Sequence, residues 1–210
     1  HSGKLENQNV TYHDTREIFE HDGVTSYTGD LRTLFEISNA KQANERFLLA
    51  FAHRHPLNEE LVKEFQRILT RGTYDERRYR LGERPGEYKH HDYVTGRQEV
   101  GAAPEDVADE MHELLEDISK ENALTAAAYF HAKFENIHPF ADGNGRAESH
   151  TWHALMLSKW NPAFAWLPVE SIIHDRQQEY YGAINVSNDA GESTVFIEFM
   201  LSAIKASLMD

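Results

Sequence analysis

From Leu124 to Phe134 the chain is apolar almost all round, with Ala126, Ala127, Ala128, Tyr129 and Phe130 in one run. A helix without a polar face has to be enclosed by other elements. This stretch therefore calls for a fold with one central helix and enough surrounding chain to cover it. With 210 residues, 40% of them hydrophobic, the chain can supply that cover within a single domain.

The flanking segments carry the same helical period. Asn58 precedes Glu59-Glu60-Leu61, and Leu61, Val62, Phe65, Ile68 and Leu69 mark one face, which predicts an N-cap followed by an amphipathic helix. Pro104 opens another helix, with Val107, Met111, Leu114, Leu115 and Ile118 inside. Trp152, Leu155, Met156 and Trp160 form a further face, stopped by Asn161-Pro162. Leu31, Leu34, Phe35, Phe47, Leu48 and Phe51 recur at helical steps, with a break at Ser38-Asn39-Ala40-Lys41-Gln42. Two last helices are expected over about 170–185 and 193–209. Only residues 70–101 read otherwise. They carry five glycines and Pro85, and Tyr88, Tyr93 and Val94 are spaced for a short hairpin around Thr95-Gly96. The expected fold is all-α (mainly α), a helical domain over residues 31–210 with a small β-hairpin flap. Residues 1–30 form an N-terminal arm read as a regulatory segment.

Charge narrows the function. The chain has 21 basic and 35 acidic residues, a net charge of −14 with histidine neutral. Such a surface repels nucleic acid and nucleotides alike, so any nucleotide site must be a local exception. The absence of cysteine excludes disulfides, iron–sulfur clusters and a thiol nucleophile. No apolar run approaches the ~20 residues that span a bilayer, and no signal-peptide pattern opens the chain, so a cytoplasmic protein without a membrane partner is expected.

The local exception is His138-Pro139-Phe140-Ala141-Asp142-Gly143-Asn144-Gly145-Arg146, between the apolar helix and the Trp152 helix. Glycines on either side of Asn144 let backbone amides turn into one concavity at a helix N-terminus, where partial positive charge collects. Arg146 can grip phosphate oxygens as a fork. Asp142 offers a hard carboxylate for Mg²⁺. His138 is the group here that exchanges a proton near neutral pH, hence the candidate general base.

At these residues the chain resembles the Fic family, whose motif is HxFx[DE]GNGRxxR; His138, Phe140, Asp142, Gly143, Asn144, Gly145 and Arg146 match in order. The likeness extends to Gly86-Glu87-Tyr88-Lys89 and to Tyr180-Tyr181. It implies transfer of AMP from ATP to a Ser, Thr or Tyr hydroxyl of a target protein, with Mg²⁺. His138 would be the base and Asp142 the metal ligand. The amides of Gly143, Asn144 and Gly145 would cradle the diphosphate, Arg146 would hold the β-phosphate, and Phe140 would brace the loop. A flap from Tyr88, Lys89, His90, His91, Tyr93 and Val94 would pair with an extended target segment, and Tyr180 and Tyr181 would approach adenine.

Ser149 stands where the family has its last arginine, so weakened ATP binding and reduced activity are expected. Glu148 adds negative charge beside the phosphates, and His150 lies on the Arg146 side of the helix, where it partly replaces the lost charge. Family members are often inhibited by a glutamate in [ST]xxxE[GN]. Glu20 is the nearest equivalent, although Arg16 and His21 break the pattern; Thr194 and Glu198 have the spacing, but Phe199 follows. With Ser149 in place of the glutamate's usual partner, no strong intramolecular lock is expected. An inhibitory partner or self-association is left open, with Trp152, Trp160 and Trp166 serving a core or an interface. Two alternatives stand beside transfer. One is a Fic-like module that binds nucleotide or a partner with little transfer. The other is an HD-type metal phosphohydrolase, drawing on His90-His91-Asp92, His13-Asp14, His21-Asp22, His174-Asp175 or the His150–His153 pair.

Overall fold

The computed structural model describes residues 30–95, 98–99, 101–162, 164 and 169–209. Helix α1 (Leu31–Ala52) is followed by α2 (Glu59–Leu69) and the short α3 (Glu76–Arg80). Strands β1 (Val94–Thr95) and β2 (Gln98–Glu99) come next, then α4 (Val107–Lys120), α5 (Ala123–Ile137) and α6 (Asn144–Lys159). The chain closes with α7 (Val169–Asp175), α8 (Gln177–Ala190) and α9 (Thr194–Ser207). The fold is mainly helical. Among the described residues no helix is long and apolar enough to cross a membrane.

Helix α5 is the central one, as its composition requires. Asn122 starts it by accepting from the Thr125 amide at 3.1 Å, and it packs against α4, α6 and α9. Ala126, Ala127, Phe130 and Phe134 have no exposed surface. The alanines let neighbouring helices come close, while the phenylalanines fill the gaps between them. Helix α2 begins as expected, with Asn58 Oδ1 accepting from the Leu61 amide at 2.9 Å, and it lies against α1 and α6.

Three details depart from the sequence reading. Helix α1 runs unbroken through the polar stretch, because Asn39 is buried rather than solvated. Its Nδ2 donates to the carbonyls of Leu69 (3.2 Å) and Arg71 (2.7 Å), acceptors that the end of α2 leaves without helical partners. The buried face is Thr33, Ile37, Asn39, Ala43, Phe47 and Ala50, whereas Leu31, Phe35 and Leu48 are exposed. Second, the helix expected over 170–185 is two helices meeting at Arg176, whose guanidinium bonds Glu179 and Ser202. Third, the hairpin is shorter than expected, with Val94 opposite Glu99 and Thr95 opposite Gln98. Tyr88 lies outside it and packs into the core, with its ring 5.5 Å from that of Phe140.

Candidate active site

Helix α5 ends at His138, which adopts a left-handed backbone (φ 48°, ψ 60°) while its amide donates to Phe134 O at 2.8 Å. The chain then doubles back. Phe140 is fully buried between Tyr88 and Phe134. Asn144 clasps it through both ends of its amide: Oδ1 accepts from Phe140 N at 2.9 Å and Nδ2 donates to Phe140 O at 2.8 Å. Gly143 has φ 76°, and a Cβ there would lie 2.5 Å from Thr70 Cγ2, so both the turn and the space require glycine. Helix α6 starts at Asn144, so the amides of its first residues have no acceptor within the helix and form a positively biased end. Gln66, fully buried on α2, donates to Asp142 O at 2.9 Å and to Tyr74 Oη at 3.1 Å, and accepts from the Gly86 amide.

The charged side chains are arranged otherwise than expected. Asp142 Oδ2 lies 2.8 Å from Arg32 Nη2 and 3.7 Å from Arg78 Nη2. Its Oδ1 accepts from the Gly143 amide at 2.8 Å and lies 3.5 Å from Arg146 Nη2. Arg146 is buried, with Nη1 3.4 Å from Glu36 Oε1, and Glu36 in turn takes Arg32 Nε at 2.9 Å. Asp142 was the expected Mg²⁺ ligand, but both of its oxygens face guanidinium groups, and an arginine on the carboxylate repels a divalent cation. As arranged, these residues do not fit the metal. Arg146, expected to meet a phosphate, is turned toward Glu36. Contacts from α1 reach the loop through Arg32 and Glu36.

His138 keeps a half-buried ring, with Nδ1 3.9 Å from Glu135 Oε2. Desolvation lowers its pKa below the ordinary imidazole value; Glu135 pulls it upward and Lys89 pushes it down. The ring is therefore neutral at neutral pH, the form that accepts a proton.

The hairpin stands on the same turn. Lys89 N donates to Pro139 O and Ala102 N to Ile137 O, both at 2.9 Å. At Gly101 (φ 85°) a Cβ would lie 2.5 Å from His138 Cβ, so the returning chain passes directly against His138. Of the flap residues, Lys89 is buried, and the His90 amide, His91 Nδ1 and Tyr93 Oη gather on Glu83 at 3.0, 3.2 and 2.9 Å. Val94 begins β1. Tyr180 sits two turns back along α5, its hydroxyl 2.7 Å from His131 Nε2 and its ring among Phe196, Phe199 and Tyr181; Tyr181 is exposed. Glu20 lies outside the described residues, as do His13, His21, Trp166 and the side chains of Val94, Glu148, Ser149, His150, Trp152 and His153. Among the described residues no three His, Asp or Glu side chains gather as a metal site, so the phosphohydrolase reading finds no support there.

Sequence reasoning missed Arg32, Glu36, Gln66 and Glu83. Gln66 carried a signal, a polar residue on the apolar face of α2; the other three did not.

A family model described as Fic/DOC family matches residues 56–155. The protein adenylyltransferase fic-1 of Caenorhabditis elegans is 30% identical over 111 residues, 50% of this chain and 20% of that protein. The protein adenylyltransferase Fic of Drosophila persimilis is 25% identical over 217 residues, 99% of this chain and 39% of that protein. The chain thus spans between a fifth and two-fifths of the length of these relatives. A solved Fic family protein from Desulfovibrio desulfuricans G20 superposes with a TM-score of 0.81 at 30% identity, covering 99% of this chain and 62% of that one. A Fic domain containing signaling protein from Bacteroides thetaiotaomicron shares the fold at 21% identity, with a TM-score of 0.70 over 99% of this chain and 81% of its own. Taken with the loop that closes α5 and opens α6, these likenesses make residues 56–155 a match to the Fic/DOC family and the fold as a whole similar to that of a Fic family protein.

Proposed function

We propose that this chain is a protein adenylyltransferase, moving AMP from ATP to a Ser, Thr or Tyr hydroxyl of a target protein. The observation that carries the reading is a neutral His138 imidazole at the edge of the amide-rich start of α6, with a hairpin clasped to the same turn. The amides of Asn144 and Gly145 hold the phosphates beside Gly143, which keeps the backbone low enough for close approach. His138 takes the proton of the target hydroxyl. The freed oxygen bonds to the α-phosphorus, the α–β phosphoanhydride bond breaks, and pyrophosphate leaves. Arg146 serves the departing phosphates once it parts from Glu36. Tyr180 and Tyr181 supply aromatic surface for the base. The hairpin takes an extended target segment by backbone pairing, which leaves side-chain choice to neighbouring pockets.

One alternative is favoured by specific contacts. With Asp142 on Arg32 and Arg146 on Glu36, a nucleotide-binding module that transfers little fits the arrangement. Incubation with α-labelled ATP and Mg²⁺ separates the two readings. Label on a protein that disappears with His138→Asn supports transfer, whereas ATP binding without label supports the module. Label that persists in His138→Asn removes His138 as the base.

A further inference from the structure

Glu83 lies between α3 and the hairpin, and its side chain is 1% exposed. One of its oxygens, Oε1, accepts from three groups of the segment entering the hairpin: the His90 amide, His91 Nδ1 and Tyr93 Oη. Tyr93 immediately precedes β1. Burial and the bond to Glu83 raise the Tyr93 pKa, so its hydroxyl stays a donor. Acceptance by a carboxylate in a dry setting makes these bonds stronger than neutral ones. A buried carboxylate is costly to desolvate, and Oε2 takes no hydrogen bond among the described residues. An apolar side chain would fill the space more cheaply, so the use of the carboxylate lies in what it holds.

What it holds follows from the mounting of the hairpin. The amides of Lys89 and Ala102 fix the two feet on the carbonyls of Pro139 and Ile137. A body fixed at two points still swings about the line joining them. A third contact off that line sets the angle, and Glu83 supplies it. We propose that Glu83 is a positioning residue that sets the angle at which the hairpin edge meets an extended acceptor segment beside His138. This rests on the transfer reading above.

The test uses the full chain as wild type, Glu83→Ala, Glu83→Gln and Tyr93→Phe. Amide hydrogen exchange over residues 90–101 is measured first. AMP transfer to three synthetic dodecapeptides, with a central Ser, Thr or Tyr in a Val/Thr-rich context, is then compared with AMP release to water. In Glu83→Ala, hairpin exchange should quicken about tenfold while α5 keeps its protection. The KM for peptide should rise about tenfold, with kcat and release to water changed by less than about twofold. Glu83→Gln, which keeps an acceptor, should recover most of the KM, and Tyr93→Phe should fall between. Unchanged hairpin exchange overturns the proposal, as does an unchanged KM, or an equal loss in peptide and water reactions. If Glu83→Ala fails to fold, Tyr93→Phe decides by the same two readouts. A wild type that transfers to neither peptide nor water sinks the transfer reading, whereas altered exchange in Glu83→Ala would still assign the mounting to Glu83.

Discussion

Arg32 Nη2 stands 2.8 Å from Asp142 Oδ2, joining the first turn of α1 to a loop 110 positions further along the chain. One turn on, Glu36 holds Arg146 at 3.4 Å, so a single stretch of helix occupies both charged side chains of the loop. If Arg32 blocks Asp142, its removal should open the carboxylate to a divalent cation. Titration calorimetry of ATP with and without Mg²⁺ should show little metal dependence in the wild type. In Arg32→Ala, Mg²⁺ should tighten ATP about tenfold, the effect of one close, partly exposed charge contact. Equal metal dependence in both proteins would refute the blocking role.

If His138 is the base of the proposed transfer, its pKa sets the pH dependence of that step. Burial lowers its pKa, so the neutral, proton-accepting form predominates at neutral pH and is lost as pH falls through a value below the ordinary imidazole one. Rates of the transfer step between pH 5 and 8.5 should be flat above neutrality, with one acid limb. Because Glu135 pulls the pKa upward, Glu135→Gln should shift that limb to lower pH. A shift to higher pH would show that the limb belongs to another group.

Asn144 is expected to matter more for stability than its small size suggests. Asn144→Ala strands the buried Phe140 amide and carbonyl, costing about 2–4 kcal/mol for two unmet groups. Asn144→Asp, which keeps the acceptor but sets a buried carboxylate oxygen against the Phe140 carbonyl, should also destabilise. Urea unfolding at pH 7.5 measures both, and a loss under 1 kcal/mol in Asn144→Ala would show that the loop finds other partners.

His131 makes stability fall in mild acid. It is buried among Tyr180 and Phe196, and desolvation lowers its pKa to about 4. Between its ordinary value and about 4 the unfolded chain binds a proton that the folded chain refuses. Stability present above pH 6.5 is therefore lost as pH falls toward 4, by ~3 kcal/mol for this group. His131→Phe, unable to titrate, should show a shallower decline between pH 7 and 4.5 by urea unfolding. Parallel declines would place the acid sensitivity elsewhere.

The central helix, the α2 cap and the loop from His138 to Arg146 were legible in the sequence because each is local: period, cap residue and motif lie within a few positions. Asn39 was misread for the opposite reason. A polar residue in a helix looks like a break unless its partners, the carbonyls of Leu69 and Arg71, are known. Arg32, Glu36 and Glu83 were hidden for the same cause. Charged residues are common on surfaces, and nothing nearby in sequence marks these as facing a distant loop or hairpin. Burial decided the role of Tyr88 as well, since spacing assigned it to a strand while packing drew its ring onto Phe140.

His138 leaves α5 with positive φ, a bend that costs ordinary side chains something and glycine nothing. Exchanging this residue thus alters two properties at once, the imidazole ring and the ease with which the chain reverses. Alanine deletes the ring and keeps the strain, and glycine deletes both. Asparagine, which tolerates such a bend better than other non-glycine residues, is the replacement that removes the imidazole while leaving the corner intact.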